Sequence, residues 1–148
     1  ASPGTTSAGA ADPDIAALFD DYARAMTEYD LPRSTAFYPA QFMLATPAGH
    51  AVVANDAARR EAVVRENAFY RDTIGMTAAK ILSIEQTSLG GHHHFVRTVW
   101  GCTFKKTGAR TIEFPLSFIV ERVGGPPKII VHVVEADEPK IFRELGLL

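Results

Sequence analysis

The stretch TIEFPLSFIVERVGGPPKIIVHVVEA, residues 111 to 136, holds two long β-forming runs separated by a break that neither run can cross. Val, Ile and Phe dominate both runs, and Gly124-Gly125-Pro126-Pro127 is turn chemistry. Taken in steps of two, Ile112, Phe114, Leu116, Phe118 and Val120 share one face of the first strand, with Ile119 on the other. In the second strand Ile129, Val131 and Val133 oppose Ile130 and Val134. A strand with one wet face alternates more cleanly than this. One face is therefore expected against helices and the other against a second apolar surface. In a chain this short, that surface is expected to be a second copy of the same chain.

Working upstream, "AAKILSIEQTSL" and "HHHFVRTVWGCTF" are two more extended runs, bounded by Gly90-Gly91 and by Lys106-Thr107-Gly108-Ala109. The short breaks predict four neighbouring strands paired antiparallel as a meander. Ahead of them the period is helical. Ile15, Leu18, Phe19, Tyr22, Met26 and Tyr29 form one stripe of a helix over 13 to 30, with Asp12 as N-cap and Pro13 at its first position. A second helix is expected over 56 to 74, capped by Asn55 and ended by Gly75, with Val63, Asn67, Tyr70 and Ile74 on one face. Arg59, Arg60, Arg65 and Arg71 alternate with Glu61, Glu66 and Asp72, the pattern of a solvated helix face. Between the helices, "RSTAFY" reads as a helical turn and "QFMLATPAGH" as a short strand entering a turn. The tail "EPKIFRELGLL" reads as a short helix docking Ile141, Phe142 and Leu145.

The bulk numbers exclude several function classes. The 148 residues suit one domain over 12–148, preceded by a small, polar, flexible segment over 1–11. Net charge is −2 with no basic stripe, so neither nucleic acid nor an anionic membrane is an expected partner. No run approaches the roughly 20 apolar residues of a membrane span. A single cysteine, Cys102, rules out an internal disulfide and lies in an apolar run, as a buried structural thiol does. The expected compartment is the cytoplasm, or an exported location if the N-terminus is a processed mature end.

Three consecutive histidines, His92, His93 and His94, open the second long strand directly after a glycine pair. His92 and His94 share a face, but zinc needs three or four ligands and no Cys-x-x-Cys or His-Glu-x-x-His accompanies them. Their plain reading is a strand start with one histidine at a pocket rim, so no metal and no cofactor is expected. His132 lies mid-strand between Val131 and Val133, where two-sided burial puts it indoors. A buried imidazole needs a hydrogen-bond partner, either as a satisfied core residue or as an acid/base group. Tyr22, on the inner stripe of the first helix, is a candidate hydroxyl for it. Trp100 shares the His94–Val96–Thr98 face and is a candidate pocket wall or core plug, while Glu113 and Glu135 read as surface or interface charges available to Arg97.

The element order, with Phe19-x-x-Tyr22-Ala23, Tyr29-Asp30, "TPAG" and "VRTVW…TG…EFPLSFIVERVGG…KIIVHVVEA", resembles the nuclear transport factor 2-like superfamily over residues 12 to 137. That resemblance implies an α+β fold, a cone-shaped curved antiparallel sheet wrapped around N-terminal helices, with an apolar pocket at the wide end and dimers formed through the outer sheet face. Ketosteroid isomerases of the superfamily carry an aspartate before the Pro-x-Gly turn, where this chain has Thr46. Limonene epoxide hydrolases carry an Arg-x-Asp pair, where Arg97 is followed by Val99. The resemblance therefore points to a SnoaL-like protein holding a small hydrophobic molecule, of isomerase, dehydratase or cyclase type. The catalytic candidates are His132, Tyr22 and Tyr38, and the ligand-binding candidates are Phe19, Met26, His94, Trp100, Phe114 and Phe118. A non-catalytic hydrophobic-ligand binding module and a protein-interaction domain are the competing expectations.

Overall fold

The computed structural model describes residues 8–148, so the first seven residues of the expected flexible segment lie outside the described residues. Two α-helices, α1 (Pro13–Thr27) and α2 (Ala57–Ala68), precede the long strands, and a third, α3 (Glu138–Glu144), follows them. The strands are β1 (Gln41–Thr46), β2 (Gly49–Ala54), β3 (Met76–Ser88), β4 (His93–Phe104), β5 (Ile112–Glu121) and β6 (Lys128–Val134). They make one curved, unclosed sheet in the order β2-β1-β6-β5-β4-β3, an α+β architecture. The four long strands form the antiparallel meander that the turn spacing predicts. The β1–β2 hairpin joins it through a parallel pairing of β1 with β6, a contact between distant parts of the chain with no local signature.

Strand phase is altered by bulges. Val120 pairs with Ile129 while the adjacent Ile119 pairs with Val131, so Ile130 is an extra residue on β6. The expected grouping of Ile129 with Val131 and Val133 is thereby corrected: Ile129 is fully buried on the inner face, and Val131 lies outside opposite Ile119. His132 then faces inward opposite Phe118. In β3, the register skips at Thr77 and at Leu82. Bulges of this kind bend and twist a strand, which suits a sheet that must curve around α1.

Aromatic packing closes much of the inner faces of β4 and β5. Phe19 of α1 meets Phe118 at 4.7 Å between ring centroids, and Tyr22 meets Trp100 edge-on at 5.4 Å. Near the C-terminus Phe142 of α3 packs on Phe69, Phe104 and Phe114. This is the docking expected of the tail, with Phe142 and Leu147 its most buried residues. Cys102 is a buried thiol, pushed up to about 12 chiefly by burial.

Helix ends depart from expectation at two caps. Asp12 sits at the N-cap of α1, but its carboxylate accepts from Arg122 (2.7 Å) and from Gln86 (3.1 Å) rather than from the helix backbone. Asp56, not Asn55, caps α2, accepting from the Arg59 backbone N–H at 2.9 Å. Asn55 instead donates to the carbonyls of Thr35 and Tyr38. Tyr29 takes the left-handed conformation (φ 56°) at the end of α1, and the Asn67 side chain of α2 holds that corner through Tyr29 O and Leu31 N. Part of the expected flexible segment is tied down, since Gly9 exchanges two backbone hydrogen bonds with Gln86. Among the described residues, no helix is long and apolar enough to cross a membrane.

Gly101 shows what the Leu82 bulge requires. A Cβ placed there would lie 2.8 Å from both Leu82 Cδ1 and Thr111 Cγ2. Leu82 can swing aside because it is partly exposed, so Gly101→Ala is expected to cost only about 1 kcal/mol by urea unfolding. Gly101→Val should cost more than twice that. An unchanged midpoint for the valine variant would show that Leu82 does not pack over β4.

Candidate functional site

A cavity of about 490 Å³ opens where the inner sheet face is no longer filled by aromatic rings. Its floor is Leu44, Leu116, His132 and Val134, contributed by β1, β5 and β6. Leu31, Ser34 and Tyr22 close one side. Arg59, Val63, Glu66 and Tyr70 line another, and the β1–β2 turn and the start of α3 form the rim.

His132 on the floor and Tyr22 on the side are joined by a chain of three side chains whose middle member, Tyr38, lies behind the lining. The hydroxyl oxygens of Tyr22 and Tyr38 lie 2.8 Å apart, and the Tyr38 hydroxyl is 3.0 Å from His132 Nδ1. Tyr38 comes from the 3-10 segment Leu31–Phe37 and its C-cap, Tyr22 from α1 and His132 from β6. Burial pushes both phenols above their ordinary range, Tyr22 to about 12, so each remains a neutral hydroxyl. Burial, assisted by the Arg59 charge, pushes His132 down to about 4, so its imidazole is neutral at pH 7. Nδ1 is engaged by Tyr38, whereas Nε2 is buried without a partner among the described residues. An unpaired buried polar atom costs roughly 1–3 kcal/mol.

The second polar wall carries acids. Burial raises Glu66, and burial with the Glu66 charge pushes Glu138 up to about 7. Arg59 stacks over the Phe42 ring at 5.6 Å and pairs with no carboxylate among the described residues. These residues correct the reading of a fully solvated helix face: Arg59 and Glu66 look into the cavity. Arg59, Val63, Glu66 and Tyr70 are spaced by four, three and four, which is one stripe of a helix, and that spacing was the available signal. Tyr70 belongs to the π-helical turn Phe69–Thr73 that continues α2 to Gly75. Glu138 had no such signal, because its place depends on how α3 docks.

The sequence-predicted residues divide. Tyr22, Tyr38 and His132 are brought together, with Tyr38 standing between the other two. Phe19, Trp100 and Phe118 are core residues that do not line the cavity. Trp100 Nε1 donates to Thr98 Oγ1 at 2.8 Å, which closes its polar edge. Met26 and Phe114 face a separate void of about 30 Å³, which shares Tyr70 and Glu138 with the main cavity. His94 is not at the rim: it is buried, with Gln86 3.2 Å from Nδ1 and Arg122 3.3 Å from Nε2. His93 opens β4 and pairs with Glu121 at 3.0 Å, the strand start expected of the histidine run. Arg97 pairs with Glu135 on the outer face, and Ser117 donates to the same carboxylate.

No protein-family model matches the chain, and no curated protein matches it in sequence. Solved structures do match in shape. An NTF-2 like protein of unknown function from Shewanella oneidensis MR-1 aligns at 20% identity with a TM-score of 0.64, covering 83% of this chain and 97% of that one. A protein from Catenulispora acidiphila, solved in complex with S-DNPA, aligns at 15% identity with a TM-score of 0.60, covering 86% and 94%. The beta subunit of benzoate 1,2-dioxygenase from Burkholderia mallei ATCC 23344 aligns at 16% identity with a TM-score of 0.59, covering 90% and 95%. At these identities the likeness is one of architecture, and the chain has the nuclear transport factor 2-like fold.

Proposed function

We propose that the protein is a SnoaL-like pocket protein that holds a small, largely hydrophobic molecule against His132. The observation that carries this is the Tyr22–Tyr38–His132 chain, which ends at an imidazole that lines a 490 Å³ cavity and keeps one buried ring nitrogen unpaired. Cavities of this size suit small ligands, and a few convergent polar groups in an apolar lining orient them. With its pKa near 4, His132 serves as a hydrogen-bonding group rather than a proton shuttle at pH 7. Acid–base turnover of isomerase, dehydratase or cyclase type then needs a second group to move the proton. Glu138, near 7 at the cavity rim, has the right range for that role. A pure binding module uses the same His132 contact without the proton step. The Catenulispora protein, solved with a small ligand, supports the reading by analogy of fold alone.

A native mass spectrum of gently purified protein is expected to show a small organic adduct. Leu116→Trp, which fills the cavity floor, should remove that adduct while leaving the thermal transition cooperative. An adduct that survives the filled cavity would place the ligand elsewhere and sink the proposal.

The histidine also sets a pH dependence. Its folded pKa of about 4 lies below the unfolded value near 6.5, so the unfolded chain binds the extra proton between those values. Stability is therefore whole above about pH 6.5 and declines as pH falls towards 4, by up to about 3 kcal/mol. Glu138 acts oppositely, favouring the folded state at low pH. In urea unfolding at pH 7.5 and 4.5, His132→Gln is expected to lose less stability on acidification than the parent. An equal loss in both proteins would mean that His132 titrates normally in the folded state.

The outer sheet face is assigned to a second copy of the chain. Phe95, Val99, Pro115, Ile119, Val131 and Val133 form an apolar surface there, around the Arg97–Glu135 pair. Sedimentation should show a dimer that Ile119→Lys converts to a monomer. A parent chain that sediments as a monomer would overturn this assignment.

A further inference from the structure

The charged groups of the cavity do not balance. Facing it are Arg59, Glu66 and Tyr70 from α2 and its π-helical continuation, His132 from β6, Tyr22 from α1, and Asp137 and Glu138 at the start of α3. The phenols and the imidazole are neutral at pH 7. Asp137 is exposed at the rim, where it caps α3 by accepting from the Lys140 N–H at 3.1 Å. That leaves one cation, Arg59, against two half-buried carboxyls, Glu66 and Glu138. Neither carboxyl makes a salt bridge of 4.0 Å or less among the described residues, and neither does Arg59.

We infer that the cavity, on the reading that it holds a small molecule, selects ligands with one positive charge on an apolar body, a protonated amine, whose ammonium is held by the carboxylates of Glu66 and Glu138. Arg59 offsets one carboxylate and the ligand offsets the other. Two inward carboxyls facing a single cation are what an unfilled cation site looks like, and burial with the Glu66 charge accordingly raises Glu138 to about 7. A cation entering the site reverses that balance and expels the proton. Other ligands fit less well. An anion would reach Arg59 only beside two carboxyls. A divalent metal wants at least three donor side chains, and no cluster of three or more His, Cys, Asp or Glu exists among the described residues. The remaining wall is Leu31, Leu44, Val63, Leu116 and Val134, which suits a hydrocarbon body.

The test uses the full chain and three matched probes, phenethylamine, phenethyl alcohol and phenylacetate, titrated calorimetrically at pH 6, 7 and 8. An aliphatic amine keeps its charge throughout this range, so the pH dependence reports the protein. Glu138 ionises as pH rises through about 7, so amine affinity should increase about tenfold from pH 6 to pH 8 while alcohol affinity stays flat. Glu138→Gln should bring the amine down to the alcohol and abolish its pH dependence. Arg59→Gln, which leaves the excess negative charge larger, should strengthen amine binding, a change of opposite sign that misfolding cannot produce. Alcohol or phenylacetate binding as tightly as the amine would overturn the inference and leave the pocket reading standing. Failure of all three to bind would overturn both.

Discussion

The site depends on one extra residue in one strand. If β6 ran without a bulge, Ile129 and Val131 would share a face and His132 would lie opposite both. The chain would then have to expose Ile129 in order to bring His132 inside, or bury Ile129 and turn His132 out. The Ile130 bulge removes that choice by letting Ile129 pack against Val120 while His132 sits beside Phe118. The same strand is held on both edges, antiparallel to β5 and parallel to β1. Leu44 of β1 is registered against His132, so the strand that completes the sheet also supplies the apolar neighbour of the imidazole.

Around this strand the molecule separates packing from chemistry. Phe104, Phe114 and Phe142 fill one region, and Phe19 with Phe118 fills another. Burying side chains of this size stabilises a fold by roughly 1.5–3 kcal/mol each. Such a core can tolerate a neighbouring cavity with an unpaired imidazole nitrogen and two carboxyls whose pKa burial raises. Tyr22 is the hinge between the two regions. Its ring packs edge-on against Trp100, while its hydroxyl begins the chain to Tyr38 and His132.

Much of the fold was legible in the sequence because its signals are periodic and local. The β-rich runs, their glycine and proline breaks, the apolar stripe of α1 and the docking tail are all written at fixed spacing. The meander follows from short connections alone. The parallel β1–β6 pairing is not legible in this way, since nothing local links residues 43–45 to 131–133. His132 and Tyr22 could be singled out as buried polar residues on apolar stripes, and Tyr38 only as a residue type. Arg59 and Glu66 look solvated in the sequence because mixed charge on a helix usually means water. Their shared stripe with Val63 carried the contrary signal. Phe19, Trp100 and Phe118 show why the expected ligand contacts are hard to read: residues that are large and inward-facing in sequence fill a core as readily as they line a cavity, and only the tertiary packing says where filling stops.

The two inward histidines show how satisfaction separates structure from function. His94 and His132 both sit on the inner face of central strands, and each is close to an arginine. His94 has both ring nitrogens engaged, by Gln86 and by Arg122, and the same arginine binds Asp12 and Asp14 across the first turn of α1. Such a network spends all its hydrogen-bonding capacity on joining α1 to β3 and to the end of β5, and leaves nothing to offer a ligand. His132 has Nδ1 held by Tyr38 and Nε2 left over. Adding a partner at His94 would require breaking one that holds the fold, whereas adding one at His132 relieves a penalty the fold already bears. Burial alone does not distinguish the two. The unspent nitrogen does, and the residue that carries it lines the large cavity.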